Sequence, residues 1–534
     1  MKPYSEAHVP AVRGRVYSVF KKRSRTVRLL FDMKAVTAPC CRGTVTATST
    51  QSAEVTKSTG GNNLLDIPGP GGIYTLPYIG MRLMFKPFSK YDLRLLNEKM
   101  VALRDEYGPI VRIRLRNMWS LYLFDPDDIE KVFRADQKYP ERAMLPLLTV
   151  YEKRQNIPSS LSNTNGEEWY SMRSPTQKIM LRPKAVTKYA PKLSKIADDF
   201  VEKLDGKDRL ENLPFKLMEY SAEGVGMLCF NTRLGCITPD NTVTPLMAYT
   251  KDYLDRLGNH FYKTIPSYMF FRTKYYKDFE KSANFLYSTA DEHINKTLKL
   301  VQQASEDGVE YESNLLFDLL STPGLTTGQV RRTITDVFIG GIDSTANSMT
   351  FLLFYLAKHQ DKQERLFKDL CEHVLKRGEI QEDTINKIPY LKACLKESFR
   401  MVFPITGGTV RILDKDITLQ GYNVPKGTPM QLCSGPIGRD EKYFPEQDQF
   451  IPERWIRGDT KTDVNPFAHL PFGFGPRKCI GQRFAEQEIY ICTAKLLRNY
   501  RVVLPPGVTE IPYFYSIFAT PREPTSFILE KRQD

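Results

Sequence analysis

The sequence predicts a mainly α-helical protein with small β-sheets, folded as one large domain. Helical patterns cover long stretches, namely residues 91–106, 186–204, 272–303, 327–358, 362–377 and 387–401. Strand-like stretches are few and short: Ile110–Arg114, Ser120–Phe124 and Ile417–Leu419. No internal repeat or linker divides the 534 residues, and a hydrophobic share of 41% supplies enough apolar side chains for a large core.

Residues 1–62 form a basic leader that differs from the rest of the chain. They contain eleven Lys or Arg against three Asp or Glu, so most of the net charge of +14 lies there. The basic residues alternate with apolar ones around 19–30, a pattern typical of an amphipathic mitochondrial transit segment. The alternative is a disordered basic arm. We expect the folded domain to span 63–534, opening at the Pro/Gly-rich stretch Asp66–Gly72.

The location of the positive charge also bears on partners. Because the basic bias lies mainly in the leader and no nucleic-acid-reading motif is present, we expect no nucleic-acid partner. No apolar run approaches the roughly 20 residues that span a bilayer.

The segment Pro471–Gly481 carries the strongest chemical signal. It matches the pattern FxxGxRxCxG at Phe472, Gly475, Arg477, Cys479 and Gly481. Glycines let a tight loop approach a flat cofactor closely. A helical pattern follows Cys479, and the positive potential of a helix N-terminus favours a thiolate. A lone buried cysteine is usually structural, but five matched positions favour a metal-binding thiolate.

These residues resemble the signature of the cytochrome P-450 superfamily, and the resemblance covers nearly everything from residue 66 onward. It implies a single haem-binding domain in which Cys479 is the axial ligand of the iron of haem b. Arg477, Phe472, Gly475 and Gly481 would belong to the cofactor-binding loop. The implied activity is a haem-thiolate monooxygenase that uses O₂. Two alternatives stay open: a haem-thiolate isomerase or dehydratase, and a non-catalytic haem-dependent binding protein.

A second segment, Phe338–Thr345, contains two glycines inside a helical pattern. Each costs roughly 1 kcal/mol relative to alanine, which indicates a purpose such as a groove for a small ligand. The resemblance implies that O₂ binds there and that Asp343 and Ser344 are the catalytic pair that delivers protons. Ser344 stands where the family usually has threonine, and Thr345 points to a different helix face. The alternative is a glycine pair for helix packing with a back-bonded serine.

Further residues are assigned through the resemblance. Glu397 and Arg400 share one helix face and would form a structural triad with Arg454 on the haem-proximal side, whereas alone they would suggest a surface ion pair. Trp169, Arg173 and Arg411 would bind the haem propionates. For Arg411 the alternative is a surface strand residue.

Partner recognition is expected at Lys392 and Lys396, which lie one helical turn apart. Together with the leader they resemble the animal mitochondrial class, in which such lysines dock an adrenodoxin-like ferredoxin that an NADPH-dependent reductase reduces. Arg483 lies at a further docking position. The alternative is an ordinary solvated lysine face. The class also implies an apolar lipid substrate such as a sterol or steroid, and a peripheral location on the matrix side of the mitochondrial inner membrane.

Overall fold

Helices dominate the described part of the chain. The computed structural model describes residues 62–182, 186–238, 244–260, 266–308, 311–312, 314–381, 383–456 and 464–533. Its α-helices are α1 Gly80–Leu83, α2 Leu96–Tyr107, α3 Pro126–Arg134, α4 Pro146–Gln155, α5 Gly166–Met180, α6 Ala190–Lys203, α7 Leu213–Phe230, α8 Thr244–Asn259, α9 Lys274–Glu306, α10 Leu315–Leu320, α11 Thr327–Lys358, α12 Gln360–His373, α13 Pro389–Met401, α14 Ser434–Ile437 and α15 Gln482–Asn499.

The strands are short and form small sheets. They are β1 Asn62–Asn63, β2 Ile110–Leu115, β3 Met118–Leu123, β4 Arg209–Leu210, β5 Thr409–Ile412, β6 Ile417–Leu419, β7 Tyr422–Val424, β8 Pro429–Leu432, β9 Tyr500–Val503, β10 Tyr513–Tyr515, β11 Ala519–Pro521 and β12 Phe527–Lys531. The largest sheet has the order β2-β3-β8-β5, in which only the β3–β8 pair is parallel. The others have the orders β1-β7-β6, β4-β12-β9 and β10-β11.

The six helical patterns predicted from the sequence all appear, as α2, α6, α9, α11, α12 and α13. The three predicted strands appear as β2, β3 and β6. The predicted fold class is therefore confirmed. The predicted leader, residues 1–62, lies outside the described residues except at Asn62. Asn62 belongs to β1 and pairs with Tyr422 of β7.

The central helix α11 organises the core. A reciprocal cap starts it: Thr326 Oγ1 accepts from the Gln329 amide at 3.2 Å, and the Gln329 side chain accepts from the Thr326 amide at 3.0 Å. The helix is long and apolar enough to cross a bilayer, but 72% of its most apolar window is buried, which identifies a core helix of the folded domain. It packs along α7, where a Cβ on Gly341 would lie 3.0 Å from Val225 Cγ2.

Candidate active site

The cysteine loop lies between the largest sheet and the start of α15. Gly473 and Gly475 have φ angles of +71° and +73°, which only glycine adopts readily, so they turn the chain tightly. The Cys479 amide donates to the Phe472 carbonyl at 2.8 Å and closes the loop. A Cβ on Gly481 would lie 4.0 Å from Cys479 Sγ, so this backbone passes close to the sulfur.

The environment of Cys479 acts on its thiol in two opposing ways. The side chain is exposed by surface area, although protein atoms surround it on most sides, as expected on the floor of a concave surface. Burial raises the pKa of the Cys479 thiol. Hydrogen bonds from the amides of Gly481 and Gln482, together with the charge of Arg173, oppose this rise. The amides at the start of α15 thus favour the thiolate, which is the form that binds iron.

Four arginines converge beside this loop: Arg142, Arg173, Arg411 and Arg477, which we call the arginine pocket. Burial and, after it, the charges of the other three arginines lower the pKa of Arg477 to about 8. Burial likewise lowers the pKa values of Arg142 and Arg173 to about 10. Four partly desolvated like charges repel one another unless an anionic ligand joins them. The donor set therefore fits a dianion, such as the two propionates of haem.

Arg477 is held firmly and keeps one donor nitrogen without a protein partner. Its Nε donates to the Pro140 carbonyl at 2.8 Å, and its Nη2 donates to the Thr164 carbonyl at 2.8 Å. Within the described residues, the buried Nη1 has no acceptor. The Trp169 ring lies 3.9 Å from the guanidinium carbon and supports it by a cation–π contact. Arg173 Nη2 donates to the Lys478 carbonyl at 2.7 Å, next to the cysteine.

Arg411 is fully buried, so the surface-strand alternative is wrong. Its Nε donates to Asp136 Oδ2 at 2.9 Å. Its Nη1 and Nη2 donate to the carbonyls of Val410 and Phe474, each at 3.1 Å. Arg411 therefore already has an internal carboxylate partner, which the sequence did not indicate.

The remaining predicted loop residue, Phe472, packs edge-on against Phe399 with ring centroids 5.5 Å apart. This contact joins the cysteine loop to α13, whose buried face carries Glu397.

The structure brings Glu397, Arg400 and Arg454 together. Arg400 donates two hydrogen bonds to Glu397, from Nε at 2.9 Å and from Nη2 at 2.8 Å. Arg454 Nε donates to Glu397 Oε1 at 3.1 Å, and Trp455 Nε1 donates to Oε2 at 2.8 Å. The side chains of Glu397 and Arg400 have no exposed surface, so the pair is a buried network and not a surface ion pair.

Asp343 lies deep in α11. Burial raises its pKa to about 7; the charge of Asp255 raises it, and the charge of Lys251 lowers it. Asn347 Nδ2 donates to Asp343 Oδ2 at 3.0 Å and also lies 3.4 Å from Thr520 Oγ1 in β11. Asp343 is therefore a buried carboxyl poised to gain or lose a proton near neutral pH.

The two hydroxyls after Asp343 occupy different environments. Ser344 Oγ donates to the Gly340 carbonyl at 2.7 Å and lines a small cleft between α11, α13 and β11. Thr345 Oγ1 is buried and has no partner in the described residues. A Cβ on Gly340 would meet nothing within 4 Å, whereas one on Gly341 would press on α7. One glycine thus serves helix packing, and the other borders open space.

The predicted docking residues share one surface. Lys392, Lys396 and Arg483 all act electrostatically on Glu486, whose pKa is raised by burial and lowered by these three charges. Lys396 and Arg483 are exposed and Lys392 is half-buried. Lys392 Nζ donates to Asn386 Oδ1 at 2.6 Å, and its pKa is lowered by burial.

Sequence reasoning missed three residues of this site: Asp136, Arg142 and Asn347. Only Asn347 had a usable signal, because position i+4 from Asp343 lies on the same helix face. Asp136 and Arg142 reach the site through the tertiary fold alone.

Comparison with known proteins assigns the class. The cytochrome P450 family model matches residues 70–529, so the chain belongs to this family of haem-binding monooxygenases. The predicted resemblance and the haem cofactor are thereby confirmed.

Individual relatives are similar over most of their length. The chain is 30% identical to "Probable cytochrome P450 49a1" of Drosophila melanogaster over 500 residues, covering 88% of this chain and 83% of the relative. It is 27% identical to "1,25-dihydroxyvitamin D(3) 24-hydroxylase, mitochondrial" of Mus musculus over 447 residues, covering 83% and 84%. It is also 27% identical to "Sterol 26-hydroxylase, mitochondrial" of Rattus norvegicus over 491 residues, covering 88% and 89%.

Proposed function

We propose that this monooxygenase hydroxylates a sterol, steroid or similar apolar lipid with electrons from an adrenodoxin-like ferredoxin. The observation that carries the haem chemistry is the cysteine loop with its arginine pocket. When bound, the haem supplies the redox chemistry that splits O₂ and inserts one oxygen atom into a C–H bond. Cys479 would hold the haem iron as a thiolate, and Arg142, Arg173, Arg411 and Arg477 would neutralise the propionates.

The proposed role of Asp343 is to hold and release a proton next to Asn347, which lines the cleft. A carboxyl with a pKa near 7 is protonated often enough to donate and ionised often enough to be reloaded. Asn347 would fix the orientation of Oδ2 through its 3.0 Å hydrogen bond. Ser344 would relay the proton, because its oxygen lines the cleft and keeps acceptor capacity beyond its bond to Gly340.

The cleft beside Ser344 supports an apolar substrate. Besides polar groups of α11, its lining includes Phe351, Phe399, Val402, Phe518 and Ala519. These apolar side chains in the lining agree with an apolar substrate. Two relatives carry hydroxylase names that specify a sterol and a vitamin D compound, which agrees with the proposed class.

The basic surface around Lys392, Lys396 and Arg483 supports the ferredoxin proposal. Three cations that meet on one surface attract an acidic partner and accelerate its association. The isomerase and binding-protein alternatives need no electron donor, so they give no reason for this surface or for a proton-donating Asp343. Lipid extracts incubated with ferredoxin, reductase and NADPH should be turned over, and omitting ferredoxin should abolish the turnover. This result would distinguish the monooxygenase from the isomerase and from the binding protein.

We further propose peripheral attachment to the matrix face of the mitochondrial inner membrane. Relatives carry mitochondrial names, and the basic leader 1–62 is the candidate import signal. Two segments expose large apolar side chains: Ile73, Tyr78, Ile79 and Phe88 in the first, and Met269, Phe270 and Phe271 in the second. Arg116 connects the two segments, because its carbonyl accepts from the Tyr78 amide at 2.9 Å and the charge of its side chain lowers the pKa of Tyr268, opposing the rise caused by burial. Exposed apolar groups on one surface fit a lipid interface.

The experiment that tests the haem ligand is a substitution of Cys479. The reduced, CO-bound wild type should show the absorption band characteristic of thiolate-ligated haem. Cys479→His should move this band to a position typical of imidazole-ligated haem. Cys433→Ser is the matched control, since Cys433 is fully buried in another cluster of the core. An unchanged spectrum in Cys479→His would refute the assignment.

A further inference from the structure

Asp136 is a buried carboxylate at the edge of the arginine pocket. It follows α3, and its side chain is 5% exposed. Its Oδ2 accepts from Arg411 Nε at 2.9 Å, whereas its buried Oδ1 has no partner among the described residues. A Cβ on Gly475 would lie 3.8 Å from Oδ2, which places the carboxylate against the cysteine loop.

The charges that face Asp136 are almost all positive. Arg411 and Arg477 both act on it, and Arg477 in turn is repelled by the rest of the pocket. Another carboxylate that acts on the pocket is Asp336, which influences Arg142. Asp336 is already engaged by the Ser160 hydroxyl at 2.8 Å and by the Leu161 amide at 2.9 Å. Asp136 is therefore the anion most directly available to Arg411.

We propose that Asp136 is an internal counter-anion that competes with the haem propionates for the arginine pocket and so limits how tightly haem is held. A carboxylate at this place repels the propionates and satisfies Arg411 in advance. Loss of its charge should leave Arg411 and Arg477 free to act fully on the propionates. The inference rests on the assignment of the pocket to the propionates, proposed above. Asp136 acts through Arg411 and is thus a positioning residue, not a catalytic one.

The test is the rate at which haem leaves the holoprotein and enters excess apomyoglobin, followed by absorption. Asp136→Asn keeps an oxygen of nearly the same shape for Arg411 Nε but removes the charge. We expect haem loss to become about fivefold slower, because one like-charge repulsion at short range is removed. Asp136→Glu keeps the charge and should lose haem at nearly the wild-type rate.

A second measurement, the pH dependence of haem loss, separates the effect of the Asp136 charge from the effect of its side-chain shape. Burial raises the pKa of Asp136, while Arg411 and then Arg477 lower it, so the carboxyl should be neutralised at a pH above the ordinary range of an aspartate. The two arginines stay charged throughout. As the pH is lowered, the rate for the wild type should therefore approach that for Asp136→Asn, even though the propionates titrate in both proteins. A constant ratio across the whole pH range would count against the inference.

The matched control is Asp128→Asn. Asp128 is a buried acid within α3, but it binds Lys131 and Gln420 and none of the four arginines. Its substitution should leave haem loss unchanged. The inference fails, while the pocket assignment stands, if Asp136→Asn loses haem at the wild-type rate or faster. It also fails if Asp136→Glu loses haem as slowly as Asp136→Asn. Arg142→Met should accelerate haem loss; if it does not, the assignment of the pocket to the propionates falls, and this inference with it.

Discussion

Asp343 should titrate near neutral pH, and the coupling of electron use to product should follow its protonation. The perturbation is Asp343→Asn, which removes the titrating group but keeps the shape of the side chain. The charged and titratable groups that act on Asp343 are Asp255 and Lys251, both on α8. Burial is the dominant cause of the raised pKa, so the shift should survive changes in salt better than a surface effect would.

The magnitude follows from a pKa of about 7. The protonated fraction falls from roughly nine-tenths at pH 6 to just under one-tenth at pH 8, so a step that needs the proton should slow about tenfold over this range. Stability should change in the same direction. Because the folded-state pKa lies above the unfolded value of 3.8, the folded state binds more protons between these values. The stabilising contribution of Asp343 is therefore lost as the pH rises toward 7.

The assay has two parts. Infrared difference spectra should show a protonated carboxyl band that titrates with a midpoint within about one unit of 7 and is absent in Asp343→Asn. Hydrogen peroxide released per NADPH should rise over the same pH range in the wild type. Asn347→Leu should move the midpoint upward, because the hydrogen bond from Asn347 lowers the pKa of Asp343.

The control is Ser348→Ala, which removes a hydroxyl from the same cleft that bonds to the Ser344 carbonyl and not to Asp343. It should leave the midpoint in place. A coupling profile that is flat with pH, or one that Asp343→Asn leaves unchanged, would show that this carboxyl does not deliver the proton.

The remaining predictions concern partner and location. Lys392→Glu with Lys396→Glu should raise the Michaelis constant for ferredoxin at least about tenfold at low salt, without altering substrate-induced spectral shifts; normal kinetics would remove the docking proposal. Residues 1–35 fused to a reporter should carry it into mitochondria, and a reporter that stays in the cytosol contradicts the leader prediction. Phe270→Ser with Phe271→Ser should shift the protein toward the soluble fraction after mild salt washing, and unchanged retention argues against this surface as the lipid contact.

Helices α9 and α7 differ in how clearly the sequence marks them. Helices such as α9 have one buried face and one solvated face, so apolar residues recur with the helical period. By contrast, α7 is buried along nearly its whole length from Leu217 to Phe230. A helix that is buried on all sides shows no amphipathic period, and its identity depends on neighbours that the sequence alone does not place.

In the candidate site, contacts within one loop or one helical turn were predictable from the sequence, and contacts between distant positions were not. The cysteine loop and the Glu397–Arg400 pair could be found because their residues lie within one loop or one helical turn. Asp136 and Arg411 are 275 positions apart, and no local pattern marks an aspartate that will meet an arginine there. Buried ion pairs of this kind are determined by the tertiary fold, so sequence motifs predicted the cysteine loop but not the charge balance of the arginine pocket beside it.

The two glycines of α11, Gly340 and Gly341, support two different interpretations: a groove for a ligand and a packing surface for another helix. Residues four apart share a helix face, so Gly340 lies with Ser344 and Gly341 lies with Thr345. The first pair borders open space and the cleft, and the Ser344 hydroxyl bonds back to Gly340. The second pair is packed, with Gly341 against α7 and Thr345 buried. The helix-packing interpretation therefore holds for one stripe of the helix, and the other stripe borders the open space that the ligand-groove hypothesis needs. Because the Thr345 hydroxyl is on the packed stripe, it is Ser344 that stands where a hydroxyl can reach the cleft.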